Sequence, residues 1–223
     1  MRFGVIVFPG SNCDHDAYYV LKKILNCSVD FIWHKESNLD FYDCLIIPGG
    51  FSYGDYLRAG AIARFSPIMK SVVEFARKGG LVMGICNGFQ VLVESGLLPG
   101  SLITNEKVKF LSREVNIKVE STLSPFTNSL NLGDQLAMPI AHKQGNFQIT
   151  NNLLKKIQDN NQIAFTYVEE NGNTLNGSIA NIAGIFNESK NILGMMPHPE
   201  RAADPILSSQ DGVKIFKSLL GAR

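Results

Sequence analysis

Three short runs carry almost no polar residue: Arg2 to Phe8, Cys44 to Ile47 and Leu81 to Ile85. Each is stopped at once by turn-forming residues: Pro9-Gly10, Pro48-Gly49-Gly50 and Cys86-Asn87-Gly88. Runs this short and β-branched are strands, and strands apolar at every position are covered on both faces. Between them the period becomes helical. Val20, Leu21, Ile24 and Leu25 share one face, and Ser11 or Asn12 can cap that helix, with Asp14 and Asp16 in its first turn. Ile68, Val72, Phe75 and Ala76 share another face over residues 62–77, which Gly79-Gly80 closes. Val29 to Trp33 is a further strand, and Asn87 to Glu94 a short helix ended by Gly96. This alternation predicts an α/β fold: a mostly parallel, doubly wound sheet with helices on both faces.

After Pro99 the texture changes. Val115 to Val119 and Ile163 to Val168 alternate as half-exposed antiparallel strands do, and Asn171-Gly172 reads as a hairpin turn. Ile182 to Phe186 and Leu193 to Met196 are further strands, and Val213 to Leu220 is a closing helix. No repeat, low-complexity tract or long linker divides the 223 residues. The expectation is a single domain over residues 1–223, with an antiparallel elaboration in its second half.

Composition removes several classes of function. Lys and Arg number 21 against 20 Asp and Glu, so the net charge is +1 and the basic excess of a nucleic-acid binder is missing. No run approaches the ~20 apolar residues of a membrane span, and Phe3 to Phe8 is too short for a signal-peptide core. A cytoplasmic protein with reduced thiols is expected. Cys13, Cys27, Cys44 and Cys86 form no C-x-x-C pair, so neither a zinc ribbon nor a dithiol motif is expected, and no metal is assigned.

The most informative stretch is Leu81 to Gln90. A buried strand runs straight into a helix, with Cys86 at the junction and Gly84 and Gly88 two residues to either side. This is the layout of a nucleophile elbow, with Cys in place of Ser. A sharp strand-to-helix turn strains its central residue and crowds its flanks, which must lack bulk. The helix N-terminus behind Cys86 favours a thiolate and offers free N–H groups to an oxyanion. A cysteine nucleophile needs a base, and the base an orienting group. His198 follows an apolar strand in Met196-Pro197-His198-Pro199-Glu200, and Glu200 two residues on can fix the imidazole tautomer. His142 follows a short apolar segment and is a candidate to line the site, whereas His15 and His34 read as surface residues. Pro48-Gly49-Gly50-Phe51 ends a parallel strand at the same end of the sheet as Cys86, where a glycine-rich turn can aim N–H groups at an oxyanion. Cys27 and Cys44 read as core. Cys13, at a helix start, is a rival thiol without the glycine-flanked elbow. Gly10-Ser11-Asn12 lacks the pattern of a phosphate-binding loop.

Together these segments resemble the class I (triad) glutamine amidotransferases. The likeness is closer still to one branch, the glutaminase subunits of phosphoribosylformylglycinamidine synthase. It is carried by Phe8 to Asp14, Pro48 to Gly60, Gly84 to Gln90 and Met196 to Arg201, and so covers nearly the whole chain. One departure stands out: the family commonly has His-Gly-Glu-Gly where this chain has His142-Lys143-Gln144-Gly145.

The resemblance implies a flavodoxin-like sheet and a Cys86-His198-Glu200 triad that hydrolyses glutamine to glutamate. It implies oxyanion donors near Gly50 or Phe51 and at Asn87, and a role for Gln90 in holding the amino-acid end of the substrate. It also implies that the ammonia passes to a synthetase subunit, PurL, which converts formylglycinamide ribonucleotide to the amidine in purine biosynthesis, with a small third subunit, PurS. ATP and magnesium are expected on that synthetase, and no cofactor in this chain. Two other readings of the residues stand beside this one. One is a Cys-elbow hydrolase or stress protein of the DJ-1/PfpI type, in which the residue after the nucleophile is commonly His, here Asn87. The other is a silent scaffold, which would have no need of an intact Cys86, His198 and Glu200.

Overall fold

The computed structural model describes residues 1–168 and 174–221; the Asn171-Gly172 turn lies outside the described residues. Strands β1 (Arg2–Val7), β2 (Ser28–Trp33), β3 (Cys44–Ile47) and β4 (Leu81–Ile85) come first. They are interleaved with helices α1 (Asp14–Tyr19) and α2 (Pro67–Arg77), and α3 (Asn87–Glu94) follows β4. The second half contributes β5 (Ser101–Ile103), β6 (Leu111–Val119), β7 (Gln135–His142), β8 (Asn146–Gln148), α4 (Asn151–Asp159), β9 (Ile163–Tyr167), β10 (Ile182–Phe186), β11 (Ile192–Met195) and α5 (Asp211–Leu220).

Nine of the strands form one sheet in the order β2-β1-β3-β4-β11-β10-β9-β6-β7, and β5 pairs with β8 apart from it. The first five run parallel to their neighbours, and the pairings from β11 outward are antiparallel. This is the doubly wound sheet with an antiparallel extension. Leaving β1, the chain moves to one side for β2 and to the other for β3 and β4, so right-handed crossovers place α1 on one face and α2 on the other. Strands β1, β3 and β4 are covered on both faces, as their apolar runs require: Phe3, Val5, Ile6, Leu45, Ile46, Val82 and Met83 are all fully buried, whereas the edge strand β2 leaves Phe31 and Trp33 exposed.

Three local expectations are corrected. Neither Ser11 nor Asn12 caps α1; Cys13 precedes its first residue, and the Ser11 hydroxyl accepts the Phe8 N–H at 3.3 Å instead. The helix expected over 62–77 breaks at Ser66, which is extended because the residue before Pro67 is excluded from the helical region. His34 is buried: its Nδ1 lies 2.8 Å from the Ser66 hydroxyl and 2.9 Å from that of Tyr53.

The topology decides where a site forms. Sequence-distant turns after β1, β3, β4 and β11 emerge side by side at the carboxyl ends of adjacent parallel strands, next to the point where strand order reverses. A bridge between Ser11 and Gly50 ties the first two of these turns together.

Candidate active site

Cys86 sits between β4 and α3 with φ 51° and ψ −103°, a conformation that L-residues avoid. Its N–H donates to Met195 O at 2.8 Å, which locks the elbow onto β11. The flanking glycines are steric necessities: a Cβ on Gly84 would lie 2.7 Å from the Gly88 carbonyl, and one on Gly88 would collide with Ile47 O. The thiol is buried and directed at Ala141 O, 3.6 Å away on β7.

His198 follows β11, and its N–H donates to Pro139 O at 2.8 Å, so the antiparallel extension holds it from behind. Its Nδ1 lies 2.6 Å from Glu200 Oε1, and both side chains are buried. Burial opposes the charged imidazole. The charge of Glu200, then that of Cys86, then the nearby thiols of Cys13 and Cys86 outweigh it and hold His198 well above its ordinary value. With Nδ1 turned to Glu200, Nε2 is the atom free to exchange a proton; it has no protein partner that meets full hydrogen-bond geometry. Catalytic hydrogen bonds often tighten only when substrate binds.

Cys13 is closer to this centre than its place in the sequence suggested. A donor atom from each of Cys13, His198 and Glu200 lies within 4.8 Å of the other two. Arg201 Nη2 donates to Cys13 Sγ at 3.0 Å while its Nε bonds Asp16 at 3.0 Å, and the Cys13 thiol donates to Asn12 Oδ1 at 3.3 Å. Two thiols therefore flank one imidazole. Cys13 is fixed by hydrogen-bonding neighbours on both sides, whereas Cys86 stands at the strained head of an eight-residue helix.

The turn after β3 crosses in front of the elbow. Asn87 Oδ1 accepts the Ser52 N–H at 3.2 Å, and its amide donates to Asp55 Oδ1 at 3.0 Å and Gln90 Oε1 at 2.9 Å. Burial pushes the Asp55 carboxyl up to about 6, against the opposing effect of the Asn87 hydrogen bond. Gln90 Nε2 donates to Gln144 O at 2.7 Å, and Gln144 Oε1 accepts the Ala59 N–H at 3.1 Å. Gln144, one of the two departures from the family pattern, thus clasps both the elbow helix and the turn. Asn87 N–H opens α3, among the first-turn donors without an intrahelical carbonyl. The Phe51 N–H, the other expected oxyanion donor, is engaged by Gly10 O at 3.1 Å.

His142 lies at the end of β7, beside Ala141. It is buried, with its Nδ1 3.1 Å from Asn105 Oδ1. Tyr167 was not singled out from the sequence. It is buried with its hydroxyl unpartnered, and burial first, then the charge of Cys86, raise it above the ordinary phenol range. Its alternating strand announced an inward face, but the face's proximity to Cys86 follows only from strand order. The other groups missed in sequence, Arg201, Asp55 and Asn105, sit in turns whose partners are remote in the chain.

This arrangement can run acyl transfer: a thiol at a helix N-terminus, an imidazole whose tautomer is fixed by a buried carboxylate, and backbone donors beside them. Comparison with known proteins agrees. Residues 1–216 match the CobB/CobQ-like glutamine amidotransferase domain family. The chain is 52% identical to phosphoribosylformylglycinamidine synthase subunit PurQ of Koribacter versatilis, over 100% of its own length and 98% of that protein. It is also 52% identical to the subunit of the same name from Moorella thermoacetica, over 99% of this chain and 95% of that one. Among solved structures, it superposes on a chain of PurLQS from Thermotoga maritima with TM-score 0.90 and 42% identity, over 99% of this chain and 97% of that one. No helix among the described residues is long and apolar enough to cross a membrane.

Proposed function

Since the chain belongs to the PurQ family, the glutaminase subunits of phosphoribosylformylglycinamidine synthase, we propose that Cys86, His198 and Glu200 hydrolyse glutamine and release ammonia for a synthetase subunit. The observation that carries the assignment of roles is the geometry at His198: Nδ1 held by Glu200, the thiols beside the ring, and Cys86 strained at a helix head.

In this reading the Cys86 thiolate attacks the side-chain amide carbon of glutamine, and the carbonyl π pair moves to oxygen. The Asn87 N–H and a donor from the Gly50-Phe51 turn receive the oxyanion; one such donor is typically worth on the order of 3 kcal/mol in the transition state. The intermediate collapses as the C–N bond breaks, and His198 delivers its proton to the departing nitrogen, which leaves as ammonia. Water then adds to the glutamyl thioester with His198 as base, the C–S bond breaks, and glutamate departs. Glu200 orients the imidazole and stabilises its charged form throughout. Gln90, whose side chain is tied to Gln144 and Asn87, is assigned by likeness to the family the role of helping to hold the amino-acid end of the substrate.

The partners follow from the family. The synthetase subunit PurL consumes the ammonia as formylglycinamide ribonucleotide becomes the amidine in purine biosynthesis. PurS completes the complex, and ATP and magnesium are bound by the synthetase. The whole chain works as one amidotransferase domain in the cytoplasm. The test is glutamate release from glutamine by the chain assembled with its synthetase, alongside amidine formation from glutamine or from free ammonium. An assembly that forms amidine from ammonium and never from glutamine would overturn the reading.

A further inference from the structure

One buried group near the reacting atoms has no role in the reaction as described. His142 is 3% exposed, and its ring nitrogens are not equivalent. Asn105 fixes the difference. Its amide nitrogen donates to His142 O at 3.0 Å and Lys109 O at 2.9 Å, so its oxygen must be the atom facing the other way. That oxygen accepts the Gly145 N–H at 3.1 Å and lies 3.1 Å from His142 Nδ1. An oxygen there requires Nδ1 to carry the ring proton, and Nε2 is left with a bare lone pair. Nε2 has no protein partner among the described residues and is closed to solvent. Burial, and then the charge of His198, hold the ring neutral by lowering its pKa to about 4. The ring also hangs from the strand end that meets the nucleophile: Ala141 O takes the Cys86 thiol, and Gln144 O takes Gln90.

An orphaned buried acceptor at a reaction centre selects a ligand that donates. Of the groups the reaction brings here, the carboxamide –NH2 of glutamine is the donor; the carboxylate of the product glutamate has no hydrogen to offer. We propose that His142 Nε2 accepts a hydrogen bond from the carboxamide nitrogen of bound glutamine, and so reads amide against carboxylate. This rests on the glutaminase reading above. No proton moves to His142. When the amide carbon becomes tetrahedral, the nitrogen keeps its two hydrogens and gains a lone pair that must face His198. Holding one N–H on His142 turns that lone pair toward the acid. The same lone pair on Nε2 repels the product carboxylate and speeds its release.

The experiment compares two substrates in the assembled complex, glutamine and the γ-methyl ester of glutamate, whose leaving group has no N–H. His142→Leu is expected to lower kcat/KM for glutamine by about 10- to 100-fold. The ester should change by less than about threefold, and inhibition by glutamate should tighten by about tenfold. His142→Gln, which restores an acceptor, should recover most of the amide activity. If the Leu variant does not fold, Asn105→Leu frees the tautomer, and the same selective loss on the amide is expected. Equal losses on amide and ester would show a structural role only, and unchanged amide hydrolysis would show no role; either overturns the inference. A wild-type complex inert to both substrates would instead overturn the glutaminase reading on which it rests.

Discussion

The backbone N–H of Phe51 donates to Gly10 O across 3.1 Å, so one of the donors expected to stabilise the oxyanion is held by the turn after β1. The turn after β3 that carries Phe51 is in addition latched by Ser52 and Asp55 to Asn87 and by Arg58 to Glu94, with Arg58 Nε and Nη2 at 2.6 and 2.7 Å from the carboxylate. Tyr53, Gly54, Asp55 and Leu57 all have positive φ, and Tyr56 and Leu57 are exposed. A strained turn carrying exposed apolar side chains can exchange these contacts for others on a partner. The isolated chain is therefore expected to be a poor glutaminase that assembly activates. An absent oxyanion donor or an ångström of misplacement corresponds to ~100-fold in rate. Glutamate release titrated with the synthetase and its nucleotide checks this; full activity in the isolated chain, unchanged by partner, would contradict it.

Two thiols beside one imidazole make a divided prediction. Cys86→Ala should abolish glutamine-dependent synthesis and leave ammonia-dependent synthesis intact, because the partner's chemistry does not use the thiol. From its sequence position alone, Cys13→Ala would be silent. Its place between Arg201 and His198 changes that expectation to a loss of several-fold in turnover with the nucleophile still titratable by alkylating reagents. Mass spectrometry of the acyl-enzyme identifies which sulfur carries the glutamyl group. A thioester on Cys13 would reverse the assignment.

Glu200→Gln keeps the shape of the orienting residue and removes its charge. Glu200 is the largest influence raising His198, so the variant should lose that support for the imidazolium. Turnover is expected to fall by ~1,000- to 10,000-fold, as for the equivalent change in serine triads, with the glutamine KM changed little. Near-normal turnover would reduce Glu200 to a packing residue.

The parallel half of the fold was legible because its signals are local. Apolar runs fixed β1, β3 and β4 to within a residue, and Gly84, Cys86 and Gly88 marked the elbow without any long-range information. Cys86, His198 and Glu200 converge because the strands they follow, β4 and β11, pair in parallel. What stayed hidden depends on contacts between segments far apart in sequence. His34 sat among charged neighbours and read as exposed, yet Tyr53 and Ser66 enclose it. β7 was not recognised, because Pro139 interrupts it; at the sheet edge a proline is tolerated, and its carbonyl supports His198. Tyr167 and Asn105 reach the site only through the strand order and hairpins of the antiparallel half.

The elbow glycine supplies a stability test that does not involve chemistry. A Cβ on Gly88 would strike the backbone carbonyl of Ile47, which has no flexible end to yield. Gly88→Ala must then separate α3 from β3, at about 1–3 kcal/mol. For a chain of this size that is a Tm lower by roughly 3–10 °C. Gly79→Ala is the informative control: there the Cβ would meet nothing within 4 Å, and only the φ of 93° opposes the change. A Gly88 variant as stable as the wild type would mean that the helix head is not packed as described.

Burial of His142 predicts a further loss of stability in acid. Its ordinary value is 6.5, and the folded chain lowers it to about 4, burial acting first and the charge of His198 second. Between those two pH values the unfolded chain binds a proton that the native chain refuses, so stability falls as pH falls through this window and the loss is complete near pH 4. At about 1.4 kcal/mol per pH unit the contribution is roughly 3 kcal/mol. His142→Leu removes the titrating group. Measured by thermal unfolding of the isolated chain, its Tm should decline less steeply than the wild-type Tm between pH 6.5 and pH 4.5, even where the substitution lowers stability at pH 7. Other acid-sensitive pairs, His198 with Glu200 among them, are common to both proteins and cancel in the comparison. Parallel Tm curves over that range would mean that the ring protonates in the native state, and Nε2 would then be a donor rather than the bare acceptor that amide recognition requires.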